Sequence, residues 1–354
     1  MKISVLTFSK ETNFGANLQC YALCKTLQNM GHKVDIIDIQ LAPYPMPWYS
    51  TIFRIPRLWL FRQFRKQHLN IFTRHYNSVD ELKHDCPKSD LYIVGSDQVW
   101  NPVITKRLDP LVYFFSFLPD DARRISYAAS FGTETWQNPE LTNDVKNLLS
   151  KFEAVSVRED NAVQICKETF NVDATQVVDP TLLLPSYDEI CGRYEEQKEK
   201  PELLYYTFVR DDKTKDILAD FAEDNKLQAV YLCSNRKYPR FKRKLYVSVA
   251  GWLNEIRYSR IVVTSSFHCM VFCLIFHKKF VAIQGHKARS SRQKSLLNKL
   301  GLAEFFCDDT SKLYQTVKYA LEKDIDYKDV DYKLGLERKY SLSFLNESIN
   351  KIDI

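Results

Sequence analysis

Ser265, Ser266, Phe267 and His268 sit where a β-branched run, Ile261–Thr264, gives way to an apolar run over 269–276. The pattern predicts a buried strand, a turn through small hydroxyl residues, and a buried helix starting near Ser266. A helix that begins where a buried strand stops aims its first N–H groups, and the positive end of its dipole, at one spot that favours an anion. His268 falls in the first turn, and Lys287, Arg289 and Arg292 follow the next predicted strand, 280–283. These residues predict an anion site containing a histidine, a side chain that can carry or give a proton near neutral pH.

Other chemistry-bearing residues follow predicted strands in the first half. Asp97, Gln98 and Trp100 come directly after the run 90–94. A carboxylate, an amide and an indole in one loop suit sugar hydroxyls, with Asp97 as a base; the alternative is an Asx turn. Arg158 stands between a strand and a helix start, placed either to hold a phosphate or carboxylate or to pair with Glu159 or Asp160. Asn13, Gly15 and Gln19 lie in the loop and helix after the first strand, facing the sheet end or simply capping the helix. The first loop lacks GxGxxG, so no dinucleotide site is expected.

The elements that must carry these residues alternate strand and helix. The predicted order is strand 2–8, helix 16–30 with Gly31 after it, and strand 33–38, then strands at 90–94, 125–129, 154–157 and 176–179. After a charged segment at 193–200 the alternation restarts, with strand 203–208, helix 213–225, strand 228–233, helix 252–259, the Ser265 turn, and helix 291–300. With 354 residues, two α/β domains are expected. The expected bounds are 1–185, a linker at 186–202, 203–325, and a tail at 326–354 that packs back on the first domain. The expected fold class is α/β, GT-B-like, with two Rossmann-like domains facing across a cleft.

The stretch 41–77 departs from this alternation. Pro43, Pro45 and Pro47 precede a run rich in aromatics and bases, including Trp59, Arg62, Arg65 and Lys66. It reads as a basic amphipathic helix, suited over 52–68 to peripheral contact with a membrane or to packing on its own domain. The net charge of +6 suits anionic ligands without marking a nucleic-acid binder. The nine cysteines form no CxxC pair and read as reduced, buried thiols of a cytoplasmic protein. The short apolar run 3–8 reads as a strand rather than a signal peptide, and no apolar run reaches membrane-spanning length.

Several motifs in order resemble the polysaccharide pyruvyl transferase family. They are Thr12-Asn13-Phe14-Gly15-Ala16-Asn17-Leu18-Gln19, Val94-Gly95-Ser96-Asp97-Gln98-Val99-Trp100-Asn101, Tyr127-Ala128-Ala129-Ser130-Phe131-Gly132, Ser156-Val157-Arg158-Glu159, Val178-Asp179-Pro180-Thr181, Ser265-Ser266-Phe267-His268 and Ser295-Leu296-Leu297-Asn298-Lys299-Leu300-Gly301-Leu302. The resemblance covers roughly residues 3–305. It implies a GT-B-like fold and transfer of pyruvate from phosphoenolpyruvate onto two hydroxyls of a sugar in a surface-polysaccharide precursor, giving a cyclic ketal. It implies donor contacts at Arg158, His268 and Lys287; beside them the residues themselves offer the helix start at Ser266 and further charge at Arg289 or Arg292, and the reaction scheme requires no metal or cofactor beyond the donor itself. The family usually has Asp or Arg near the start of the turn and Gly after the histidine; Ser265 and Cys269 stand there instead.

That chemistry would need cations on a phosphate and a carboxylate, an acid for C3 (His268) and a base for the hydroxyls (Asp97). Asn13, Gly15, Gln19, Gln98 and Trp100 would hold the acceptor, which is either free or lipid-linked. Two rival readings remain. One is a GT-B glycosyltransferase with a nucleotide-sugar donor, disfavoured because no Glu stands near the Ser265 helix for a ribose. The other is a non-catalytic glycan-binding relative.

Overall fold

The computed structural model describes residues 1–40, 48–192, 200–209, 211–233, 238–285 and 290–351, with side chains of the helix Trp48–His68 from Arg54 onward. Two compact units form. The first comprises 1–51, 65–184 and 335–354; the second comprises 52–64 and 185–334.

The first unit is built on a five-stranded parallel sheet of β1 (Lys2–Leu6), β2 (Lys33–Ile39), β3 (Phe72–Tyr76), β4 (Leu91–Val94) and β5 (Arg124–Ser126), in the order β3-β2-β1-β4-β5. A small parallel pair, β6 (Ser156–Val157) and β7 (Thr175–Gln176), continues beyond β5 through bridges Asp97–Ala129 and Ala129–Val157. The central strands are near-continuous apolar runs with Ile3, Val5, Leu6, Leu91, Ile93 and Val94 fully enclosed, as a parallel sheet covered on both faces requires. The helix Phe14–Asn29 follows β1, with Asn13 as its N-cap and Gly31, at φ +87°, just past its end.

The second unit holds a six-stranded parallel sheet. Its strands are β8 (Leu203–Tyr206), β9 (Ala229–Leu232), β10 (Lys242–Lys244), β11 (Ile261–Thr264), β12 (Lys279–Ile283) and β13 (Phe306–Cys307), in the order β10-β9-β8-β11-β12-β13. Chain order reverses between β1 and β4 in one unit and between β8 and β11 in the other. Such switch points open a crevice at the carboxyl ends of the strands.

Several expectations need correction. Residues 52–64, expected within a first-domain insert, cluster with the second unit, where Phe61 and Phe64 are buried. The same insert hides β3, an edge strand whose Arg74 and His75 are exposed, so its period-two pattern is faint. β10 also escapes prediction because it is the Lys-Arg-Lys edge of its sheet. The charged segment 193–199 and the prolines at 43, 45 and 47 lie outside the described residues. The tail is one long helix, Tyr327–Asn350, from which Ser341 accepts the Val178 N–H at 3.0 Å within the first unit. Among the described residues no helix is long and apolar enough to cross a membrane.

Candidate active site

In the second unit the strand-to-helix turn is fixed by hydroxyls. Thr264 donates to the Tyr206 carbonyl at 2.7 Å and accepts the Ser266 N–H at 3.0 Å. Ser266 is the N-cap of the helix Phe267–Ile275; its Oγ accepts the Cys269 N–H at 3.3 Å, which leaves its own proton to donate. Across the β8–β11 switch point, Ser265 and Thr207 share a hydrogen bond of 2.7 Å, and Ser265 also accepts the Phe208 N–H at 3.2 Å. The loops after β8 and β11 are thus tied together at the positive end of a helix dipole. His268 stands in the first turn, 6% exposed, with its ring edge-on to Phe267 at 5.3 Å. The Arg292 guanidinium lies 5.7 Å from the other aromatic partner, the Phe267 ring centroid. Lys287 and Arg289 lie outside the described residues.

Cys269, which stands where the resemblance leads one to expect glycine, is fully buried. Its side chain packs beside Cys273, where burial and the Cys269 hydrogen bond hold the Cys273 thiol well above its ordinary pKa. The extra side chain therefore fills core rather than the mouth of the turn. Cys269→Gly should lower stability by about 1 kcal/mol or more, through helix propensity and a core void, with donor affinity unchanged. Denaturant unfolding and a donor titration of the variant read these two outcomes separately.

The sequence reading missed two features here. Arg57, on the helix Trp48–His68, reaches the carboxyl ends of β8 and β9. Burial raises the Tyr206 hydroxyl and pushes the Cys233 thiol up to about 12, and the Arg57 charge opposes both rises. A cavity of 280 Å³ also opens beside the turn, lined by Tyr205, Asp211, Gln284 and Asp308 and sharing Val209 and Gly285 with the walls around Ser265. Neither is visible locally: one basic residue in a basic helix carries no signal, and the cavity joins residues a hundred positions apart.

In the first unit Arg158 takes the ion-pair alternative, with a partner the sequence reading did not name. Its guanidinium donates to Asp179 at 2.6 Å and to Ser96 at 3.3 Å, with Glu159 at 3.8 Å and Asp97 at 4.0 Å. Burial works against the charge, but the carboxylates, Asp179 first, more than offset it and raise the Arg158 pKa. Asp179 is saturated, its other oxygen accepting from the N–H and hydroxyl of Thr181 at 3.0 and 2.7 Å. An arginine buried among three carboxylates offers no net positive charge to an anionic donor. Arg158 is therefore part of a buried ion pair that ties Ser96 to the Val178-Asp179-Pro180-Thr181 turn, the pairing alternative of the sequence reading with Asp179 as principal partner.

Asp97 is 7% exposed, at φ +73°, and its Oδ1 accepts the Gln98 N–H at 2.9 Å. The Asx geometry is thus real, and the left-handed backbone of a non-glycine residue marks a conformation held by its surroundings. Gln98 is half-buried and accepts from Asn101; its carbonyl oxygen would stand 2.2 Å from any Cβ at residue 132, which explains why Gly132 is there.

The other acceptor candidates make contacts within the fold. Trp100 is fully enclosed, stacked on Phe114 at 5.3 Å and donating to the Tyr113 carbonyl at 3.0 Å, so it offers no face to a sugar. Gln19 is fully buried and donates to Thr7, Phe8 and Ala16, which ties the helix to the end of β1. Asn13 caps the helix by accepting the Ala16 N–H at 3.3 Å, and Gly15 is buried in its first turn.

Comparison with known proteins bears on what these two sets of residues do. A family described as polysaccharide pyruvyl transferase has a model that matches residues 13–286. No curated protein matches the chain. Among solved structures, a putative UDP-N-acetylglucosamine 2-epimerase from Listeria monocytogenes is 9% identical, with a TM-score of 0.62 over 99% of this chain and 97% of that one. The MnaA–UDP structure from S. aureus is 12% identical, with a TM-score of 0.60 over the same shares. A glycosyltransferase from Rickettsia africae is 12% identical, with a TM-score of 0.56 over 99% of both chains. At these identities the likeness shows the fold alone, a GT-B-like pair of Rossmann-like units.

Proposed function

Since the chain belongs to the polysaccharide pyruvyl transferase family, a family of enzymes, we propose that it moves the pyruvyl group of phosphoenolpyruvate onto two hydroxyls of a sugar in a surface-polysaccharide precursor. The family match over 13–286 carries this reading. The turn that ties Thr207 to Ser265 and caps a helix with Ser266 supports it, because it is chemically suited to a phosphate.

In this reading the Ser266 hydroxyl and the helix dipole meet the donor phosphate, and Arg57 and Arg292 supply cations in the same unit, with Lys287 and Arg289 retained as candidates. His268 gives a proton to C3 of the enol, which leaves positive charge at C2. One sugar hydroxyl adds to C2 and loses its proton to a base, for which Asp97 is the candidate. The C–O bond to phosphate then breaks, and the second hydroxyl closes the ketal as its proton leaves. C3 has gained one proton, the hydroxyls have lost two, and the second leaves with inorganic phosphate. We place the reaction in the cytoplasm, at the inner face of the plasma membrane when the acceptor is lipid-linked.

A thermal-shift comparison tests the donor class. Phosphoenolpyruvate should raise the melting temperature, nucleotide sugars should not, and Arg57→Met should abolish most of the rise. A rise with a nucleotide sugar and none with phosphoenolpyruvate would instead support a glycosyltransferase.

A further inference from the structure

We propose that the outward face of the helix Trp48–His68 docks on an anionic lipid bilayer, with Ile55, Leu58 and Trp59 entering the headgroup region and Arg62 and Lys66 meeting lipid phosphates. The helix has two distinct sides. Phe61 and Phe64 are buried. Ile55, Leu58 and Trp59 are 56%, 41% and 57% exposed, and at helical spacing they form one patch rather than scattered apolar residues. Arg62 and Lys66 continue the same stripe by further steps of three and four, and both are exposed. Arg65 is set apart from it, donating to Asn17 at 3.2 Å.

Charge decides the occupant. No Asp or Glu occurs between Asp38 and Asp80, whereas Arg54, Arg57, Arg62, Arg65, Lys66 and Arg74 do. A second copy of the chain packed on this face about a two-fold axis would bring two sets of Arg62 and Lys66 into one interface, to which this helix contributes no Asp or Glu. An anionic bilayer complements both halves of the stripe: an indole suits the headgroup boundary, and long basic side chains reach phosphates while their stems stay in apolar surroundings. The inference goes beyond the reaction proposed above and does not depend on it, although such docking would bring the enzyme to any acceptor carried on lipid.

The test is cosedimentation of the full chain with vesicles of phosphatidylcholine alone and of equimolar phosphatidylcholine and phosphatidylglycerol. Binding should require phosphatidylglycerol and fall with added salt. Arg62→Gln and Lys66→Gln should each weaken partition about fivefold, and the combined Ile55→Ser, Leu58→Ser, Trp59→Ser variant should not bind. Melting temperatures of these variants should match the parent, because the replaced side chains are exposed. Binding of the variants equal to the parent, or no binding of the parent to the mixed vesicles, would overturn the proposal. So would an oligomer that the triple variant dissolves into monomers. Turnover on a water-soluble acceptor without vesicles should be the same in parent and variants, so a failure of the reaction assignment would be seen separately from a failure of docking.

Discussion

His268→Gln is expected to slow pyruvyl transfer by about 10²–10⁴-fold, the range for loss of a general acid or base, while the protein melts near the parent temperature. Glutamine keeps a donor of similar reach but cannot deliver a proton to carbon. His268 lies in the first turn of a helix whose cap, Ser266, is itself tied into the switch-point hydrogen bonds. Its small exposure, 6%, is also compatible with a packed histidine holding the turn. The two roles separate on the readouts. A structural histidine would lower the melting temperature and leave turnover per folded molecule nearly intact. A catalytic one would lower kcat with the fold unchanged.

Arg158→Met is expected to destabilise the first unit by about 3–5 kcal/mol, the cost of removing one partner from a buried ion pair. Asp179, Glu159 and Asp97 would then lose the guanidinium that stands among them, and the Ser96 contact would go as well. Asp179→Asn should cost less, since the amide can still accept from Thr181, and adding it to Arg158→Met should recover part of the loss. Urea unfolding of the three variants measures this. Were Arg158 a donor ligand instead, Arg158→Met would raise the donor KM with little change in stability.

The contrast between these two residues shows what was legible in the sequence. The His268 turn is local: a β-branched run, two serines and an apolar run specify strand, cap and helix within a few positions, and the structure places the strand at Ile261–Thr264 and the helix at Phe267–Ile275. The alternation of strands and helices was legible for the same reason, because strands buried on both faces read as apolar runs. Arg158 depends on Asp179, twenty-one positions away, and its neighbours Glu159 and Asp160 gave a plausible but incomplete partner list. Trp100 looked like a sugar platform because residue type reveals chemistry and not direction; its ring faces Phe114 and Phe131 inside the core. Arg57 was read with the first domain by its position in the chain, yet it acts on Tyr206 and Cys233 in the second unit. What escaped is in each case a contact made over distance in the sequence, which a local pattern does not carry.

Release of inorganic phosphate from phosphoenolpyruvate, measured with and without simple galactoside acceptors, tests the central claim most directly. The account predicts release that requires both donor and sugar, matched mole for mole by a ketal-bearing product, and nearly abolished in His268→Gln. Phosphate release indifferent to the sugar, or no release from the folded protein with any acceptor while a nucleotide sugar is consumed, would contradict it.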